Sequence, residues 1–466
     1  MSSLASRFFA TADASIGAAS GGTGGGIDMS QFTEDEISVN NIHFELQQLD
    51  QMSAGIESLR DVAEDTVAEG GLHPQAFTVL RAQAGHVMDI AGFNPIKANM
   101  QSYGDDVEDR MESSNVCMQS LKSAAKDIWD AIIKAIKDMM AKVKTWFAKM
   151  TNAVPGLVKK FEKLRNEAGK RTQGMKDDDE IKVSSTAVKL FGNGKALKLT
   201  RDEILKVSTG MTTVTKTLTE KLTMVAEMRK SAGKTTDGVK EADSEHLLGH
   251  LSGYASTIDT SIVDVNLNKE LGFGEASEID PLGIGNMAMV TKRSALPPTE
   301  DEVKMALNGT SKDKPVTDNQ YTQITEVIDR IQKSSSFTFS IASMTANETD
   351  AEGIEIKAFN ASDINTICTD MLAALAVITK FKEEQVKTDR QNDDFVKSLN
   401  KAIKSGENEK VEPENIKARG LLIKLAKSGA NMFRGYASVA PTCAAFILRV
   451  ANAEYDIANA SLSAHK

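Results

Sequence analysis

Between Ser120 and Lys170 the hydrophobic residues keep a helical period for longer than anywhere else in the chain. In SLKSAAKDIWDAIIKAIKDMMAKVKTWFAKM, Trp129, Ile132, Ile136, Met139, Val143, Trp146 and Met150 follow at alternating steps of three and four. Only a helix gathers that spacing on one face, and the resulting heptad-like seam has to be covered by something. At about 100° per residue, Lys126, Lys137 and Lys144 line one border of the apolar arc and Lys142 and Lys149 the other. Asp127, Asp130 and Asp138 lie opposite. Such a helix packs on other helices, its border lysines laying their stems over apolar neighbours, or it lies on lipid with both tryptophans at headgroup depth.

Charge along the chain bears on that choice. From Asp28 to Asn115 there are 17 Asp or Glu against four Lys or Arg, a net of −13, whereas Ser120 to Lys170 carries 12 basic against five acidic residues, a net of +7. Opposed blocks pair within a chain or between copies, which favours packing and self-association. The overall net charge of −10 argues against a DNA-coating protein, although a local basic face leaves contact with phosphate open. The most economical partner for the basic helix is the acidic helix pair just before it.

At 466 residues the chain can bury a sizeable core. Aromatic residues are scarce at 5% and methionine is plentiful at 20, which suits a helical protein with an aliphatic and methionine core. Cys117, Cys368 and Cys443 are far apart and form no Cys-x-x-Cys pair, so neither a disulfide framework nor a zinc site is indicated. Assembly in a reducing cytoplasm is the expectation. The start, as far as Gly26, lacks the apolar stretch of a secretory signal. The most apolar runs, Met371 to Ile378 and Ala437 to Leu448, fall short of the roughly 20 residues a spanning helix needs.

The expected fold is mainly α, one or more elongated multi-helix bundles with two small β-hairpins. Four regions are expected: a flexible Gly/Ser-rich arm (1–30), acidic helices followed by the basic amphipathic helix (31–170), a hairpin and helices with a Gly/Pro-rich loop (171–298), and helices with a second hairpin and C-terminal helices (299–466). Capping boxes at Thr33 with Glu36, Thr200 with Glu203, and Thr299 with Glu302 mark three helix starts. Helices are expected over Glu34 to Ala68 and Pro74 to Ala91, with Gly70 and Gly71 between them. Further helices are expected from Lys97 to Met150, Arg201 to Lys230, Glu241 to Asn266, Glu300 to Leu307, Asn319 to Lys333 and Ser362 to Lys404, then one or two after Pro413. Asn152 to Gly156 reads as the end of the basic helix, with the helical pattern resuming through Leu157, Phe161 and Leu164. Alternation in IKVSSTAVKLF and ALKLT predicts one hairpin, and in SSFTFSIASM and GIEIKAF the other, with Gly272 to Pro298 as loop.

No catalytic constellation emerges, and no catalytic, cofactor or metal-binding residues are assigned. His246 and His250, four apart with Asp243 and Glu245 nearby, are the only metal-like spacing, but Gly249 interrupts them and no His-Glu-x-x-His order is present. Gly21 to Gly26 has no strand before it and no Gly-Lys-Ser/Thr after it, so it reads as a linker. Gly192 to Lys195 reads as a turn. The residues singled out for interaction are those of the amphipathic helix: Lys126, Trp129, Ile132, Ile136, Lys137, Met139, Lys142, Val143, Lys144, Trp146 and Lys149.

In overall style the chain resembles the internal head proteins of large tailed bacteriophages. A Gly-rich arm, acidic helices and the segment IWDAIIKAIKDMMAKVKTWFAKM carry the likeness, chiefly over Phe32 to Lys230. The resemblance implies a non-enzymatic virion protein inside the phage head, made in the host cytoplasm, with itself, other virion proteins and packaged DNA as partners and a role in genome delivery. It also implies trimming by a prohead protease, for which Gly55-Ile56-Glu57 and Ala276-Ser277-Glu278 fit the loose pattern. Two other readings remain. One is a membrane-active toxin or translocator using residues 120–150, and the other an enzyme on a helical scaffold.

Overall fold

The computed structural model describes residues 30–68, 70–90, 106–171, 179–183, 200–234, 247–249, 265–266, 287–293, 295–308, 316–335, 337–343, 354–408 and 416–465, with 103, 104, 187 and 251 between them. The protein is mainly helical, with two small antiparallel sheets. Residues 37–142 form one compact unit, and residues up to Glu36 together with Val143–Lys466 form the other.

In the smaller unit, α1 (Ser30–Ala68) and α2 (Pro74–Ile90) precede the first half of α3 (Val107–Lys170). Gly70 and Gly71 turn the chain after α1 with φ of 98° and 94°, a conformation that other residues rarely adopt. Gly71 is also pressed on α3, since an added Cβ would lie 2.5 Å from the carbonyl carbon of Arg110. The Leu72 amide then donates to Ser114 Oγ at 2.7 Å, fastening the turn. Leu46, Ile56, Ala63, Phe77, Leu80, Ala84, Leu121 and Ile128 form the buried apolar set of this unit.

The larger unit contains the second half of α3, then β1 (Glu180–Val183), α4 (Arg201–Lys234), β2 (Val265–Asn266), β3 (Met287–Arg293), α5 (Glu300–Ala306) and α6 (Asp318–Ser335). After these come β4 (Phe337–Ser343), β5 (Ile354–Lys357), α7 (Ala361–Asn408), α8 (Ile416–Ala437) and α9 (Val439–Ala464). α7 packs on α4 and α9, and α8 lies against α6, α4 and α7. β1 and β4 both lean on α9, which is buried along almost its whole length. That helix is rich in Ala and carries its only proline, Pro441, in the first turn, where a missing N–H costs nothing.

Helix starts follow the expected chemistry at two of the three marked positions. The Thr200 N–H donates to Glu203 Oε2 at 2.7 Å, and Thr299 does the same with Glu302. The third helix begins at Ser30, so Thr33 lies inside its first turn rather than at the cap. Two further boxes escaped the reading: Thr317 with Gln320, and Asn360 with Asp363.

The helix expected over Glu241 to Asn266 gives way at its end to β2 (Val265–Asn266), and the helix expected from Lys97 begins at Val107. Four further expectations need correction. First, α3 runs through Pro155 to Lys170 instead of stopping before it. Pro155 is exposed, and the flanking Val154, Leu157, Phe161 and Leu164 are buried, so the apolar face continues across the break and offsets the roughly 3 kcal/mol a helix-interior proline costs. Second, the two arms of the second hairpin lie in different sheets. β4 pairs with β3, and β5 pairs with β1 in the register Ile181↔Ile356 and Val183↔Ile354. Alternation identifies a strand but not its partner, and the arms are too far apart in sequence for a two-residue turn to set their pairing. The second arm of the first hairpin, 196–199, lies outside the described residues. Third, β3 occupies part of Gly272 to Pro298, taken as loop. Fourth, Ala361–Lys387 is long and apolar enough to cross a membrane by length and composition. Its polar residues are dispersed, so no continuous apolar run announces it, and α4 and α9 pack on it, burying 44% of its most apolar stretch.

Candidate functional site

The amphipathic seam is closed within the protein. Trp129, Ile132, Ile136, Met139, Val143, Trp146 and Met150 are all buried, with Trp146 only 1% exposed. Lys126, Lys137, Lys142, Lys144 and Lys149 are exposed at the helix surface. In the smaller unit Lys142 Nζ donates to Ser38 on α1. In the larger unit Lys149 Nζ meets both carboxylate oxygens of Asp35, also on α1, at 2.9 and 2.7 Å. Lys126, Lys137 and Lys144 make no ion pair among the described residues.

A second constellation lies within the larger unit, where α9 meets α7 and the end of α3. Glu454 is fully buried, and neither carboxylate oxygen has a hydrogen-bond partner among the described residues. Burial first, and then the charge of Asp370 on α7, hold its carboxyl well above the ordinary carboxylate range. Burial also raises Asp370 and Asp456, the latter opposed by Lys160 from α3. Tyr455 sets its ring edge-on to Phe161, with centroids 5.5 Å apart, and Lys160 Nζ stands 5.7 Å from the same ring.

Burial also silences the thiols. Cys443 and Cys368 are pushed up to about 12 and Cys117 to about 11, so the nucleophilic thiolate is suppressed at neutral pH.

The far end of α9 is clasped to the smaller sheet. His465 Nδ1 lies 3.0 Å from Asp179 Oδ2 and Nε2 lies 3.0 Å from the Phe359 carbonyl oxygen, while Arg171 Nη1 donates to the Leu462 carbonyl at 3.3 Å. Asp179 precedes β1 and Phe359 follows β5, so one imidazole ties both strands to the helix.

Sequence reasoning passed over Glu454, although a signal was present. Val450, Glu454, Ile457 and Ser461 recur at steps of four, three and four, which places a carboxylate on an otherwise apolar seam. His246 and His250 lie outside the described residues, and among the described residues no group of three or more His, Cys, Asp or Glu could hold a metal ion. Of the two protease-like motifs, Gly55 to Glu57 sits inside α1 with Ile56 and Glu57 buried. The other lies outside the described residues.

The protein is mainly helical, and the apolar seam of its long amphipathic helix is buried. The family model of phiKZ-like phage internal head proteins matches residues 32–460, and the chain belongs to that family. No curated protein and no solved structure matches it.

Proposed function

We propose that this protein is a non-enzymatic structural component of the phage head interior, made in the host cytoplasm, that acts by helix packing and by association with itself and other virion proteins. Membership of an internal head protein family over residues 32–460 carries this reading. Closure of the α3 seam supports it, because the apolar face is spent inside the chain and the outward surface is charged. On this reading the exposed Lys126, Lys137 and Lys144 meet acidic surfaces of neighbouring copies or the phosphates of packaged DNA, and assistance in genome delivery follows from release of those contacts.

Mass spectrometry of purified virions, compared with particles emptied of DNA, tests the proposal. Peptides of this chain should be abundant in full particles and protected from added protease. Their absence from particles would overturn the assignment. A membrane role needs the seam to open first, so leakage of anionic vesicles by the folded protein at neutral pH would favour the membrane-active reading instead.

A further inference from the structure

Glu454 has no structural explanation as a charged residue. A carboxylate in a protein interior is stable only with compensating hydrogen bonds or a cation. Glu454 is 0% exposed, has no hydrogen-bond partner for either oxygen among the described residues, and the charge that acts on it, Asp370, is of the same sign. A neutral acid removes both penalties.

We propose that the seating of α9 in the larger unit is proton-dependent: Glu454 enters the core as a neutral acid opposite Asp370, and loss of its proton loosens α9 from α7.

The groups around α9 are consistent with this. From α7 come Asp370, with one buried oxygen unpartnered, and Cys368. From α3 come Lys160, which acts on Asp456, Glu167, which acts on Tyr455, and Arg165, which acts on Cys368. Asp179, beside β1, meets His465, and Arg171 meets the Leu462 carbonyl. α4, α8 and β4 also pack on α9, and among the described residues none of them places a hydrogen-bonding group on Glu454. Burial raises Glu454, Asp370 and Asp456 alike, so the folded state holds protons that the unfolded chain releases. A raised carboxyl stabilises fully below its unfolded value of 4.5, and that contribution is lost as pH climbs toward the folded value.

The consequence for a virion rests on the function proposed above. Densely packed DNA concentrates cations, protons included, around its phosphates. Such surroundings favour the seated helix, and dilution into a neutral cytoplasm favours its release.

Hydrogen exchange of the full-length protein, with α9 amides followed by mass spectrometry from pH 5 to pH 9, tests the latch without virions. Each variant is compared with the parent at the same pH, which cancels the intrinsic pH dependence of exchange. Within the titration window the opening constant of α9 in the parent should rise about tenfold per pH unit. Glu454→Gln should flatten that rise and slow α9 exchange at the alkaline end. Asp370→Asn, which removes the like charge and leaves Glu454 in place, should lower the Glu454 carboxyl, so that the rise levels off at a lower pH and reaches a smaller total opening.

His465→Asn serves as the control, because the imidazole clasp also holds α9 in place. Its removal should raise opening by a similar factor across the pH range and leave the Glu454-dependent rise in place. The proposal is overturned if Glu454→Gln and the parent share one pH profile, or if His465→Asn alone abolishes the rise. A Glu454→Gln protein that folds less well than the parent at pH 9 would overturn it too.

Discussion

The helices α3 and α9 bury their apolar residues in opposite ways. α3 keeps one apolar seam inward and a charged face in water, so none of its lysines or aspartates is buried. α9 is enclosed on nearly all sides, and its one glutamate goes into the core with it. A helix with a solvated face can carry charge at little cost. An enclosed one must neutralise each charge by pairing or by protonation, which makes its packing sensitive to pH.

Four experiments would break or sharpen this contrast. The largest effect belongs to the α3 seam. Trp146→Ala should cost about 3–5 kcal/mol in urea unfolding, whereas Lys126→Ala on the solvated side should stay within about 0.5 kcal/mol. Similar losses from both would mean that the two faces are not distinct.

Next comes the turn beneath α3. Gly71→Ala combines a left-handed backbone with a close approach to Arg110, so a loss of at least about 2 kcal/mol is expected in the same assay. A neutral outcome would show that the turn relaxes freely.

A smaller loss is expected on the enclosed side. Arg201 on α4 is paired with Asp363 at the start of α7, and both side chains are mostly buried. Arg201→Ala should cost about 1–2 kcal/mol, between the values for surface and buried pairs, and that loss should shrink in Arg201→Ala/Asp363→Asn. Full additivity of the two changes would remove the pair from the account.

The smallest effect sets one glutamate against the other. Glu302 is held down at about 2, first by the Thr299 backbone N–H, then by Arg330 and the Thr299 hydroxyl. Its stabilising contribution is therefore present above the ordinary carboxylate range and fades as pH falls toward 2. Glu454 has the opposite sign. Acid titrations of Glu302→Gln should show a slightly shallower loss of helicity below pH 4.5 than the parent, and an unchanged curve would leave that cap without electrostatic weight.

Much of the helical layout was legible in the residues. The period of Trp129 to Met150 placed α3, Gly70 and Gly71 marked the turn after α1, and the capping boxes at Thr200 and Thr299 sit where α4 and α5 begin. Strand partners were not legible. Ile181 and Val183 alternate equally well for any neighbour, and the choice of Ile354 and Ile356, far along the chain, depends on how α7 and α9 bring those edges together. Pro155 misled for another reason: the period through Leu157, Phe161 and Leu164 is legible, but local propensity argues for a break before it, and burial on both sides of the proline joins the two stretches into one helix.

What the amino-acid order determined alone was helical character, the apolar seam of α3 and the charge on its borders, because periodicity and capping act over a few residues. Tertiary structure decided what covers that seam, which strands pair, and that Glu454 is sealed beside Asp370. Those outcomes depend on contacts between distant segments, and desolvation of a carboxyl exists only once the surrounding helices have closed over it.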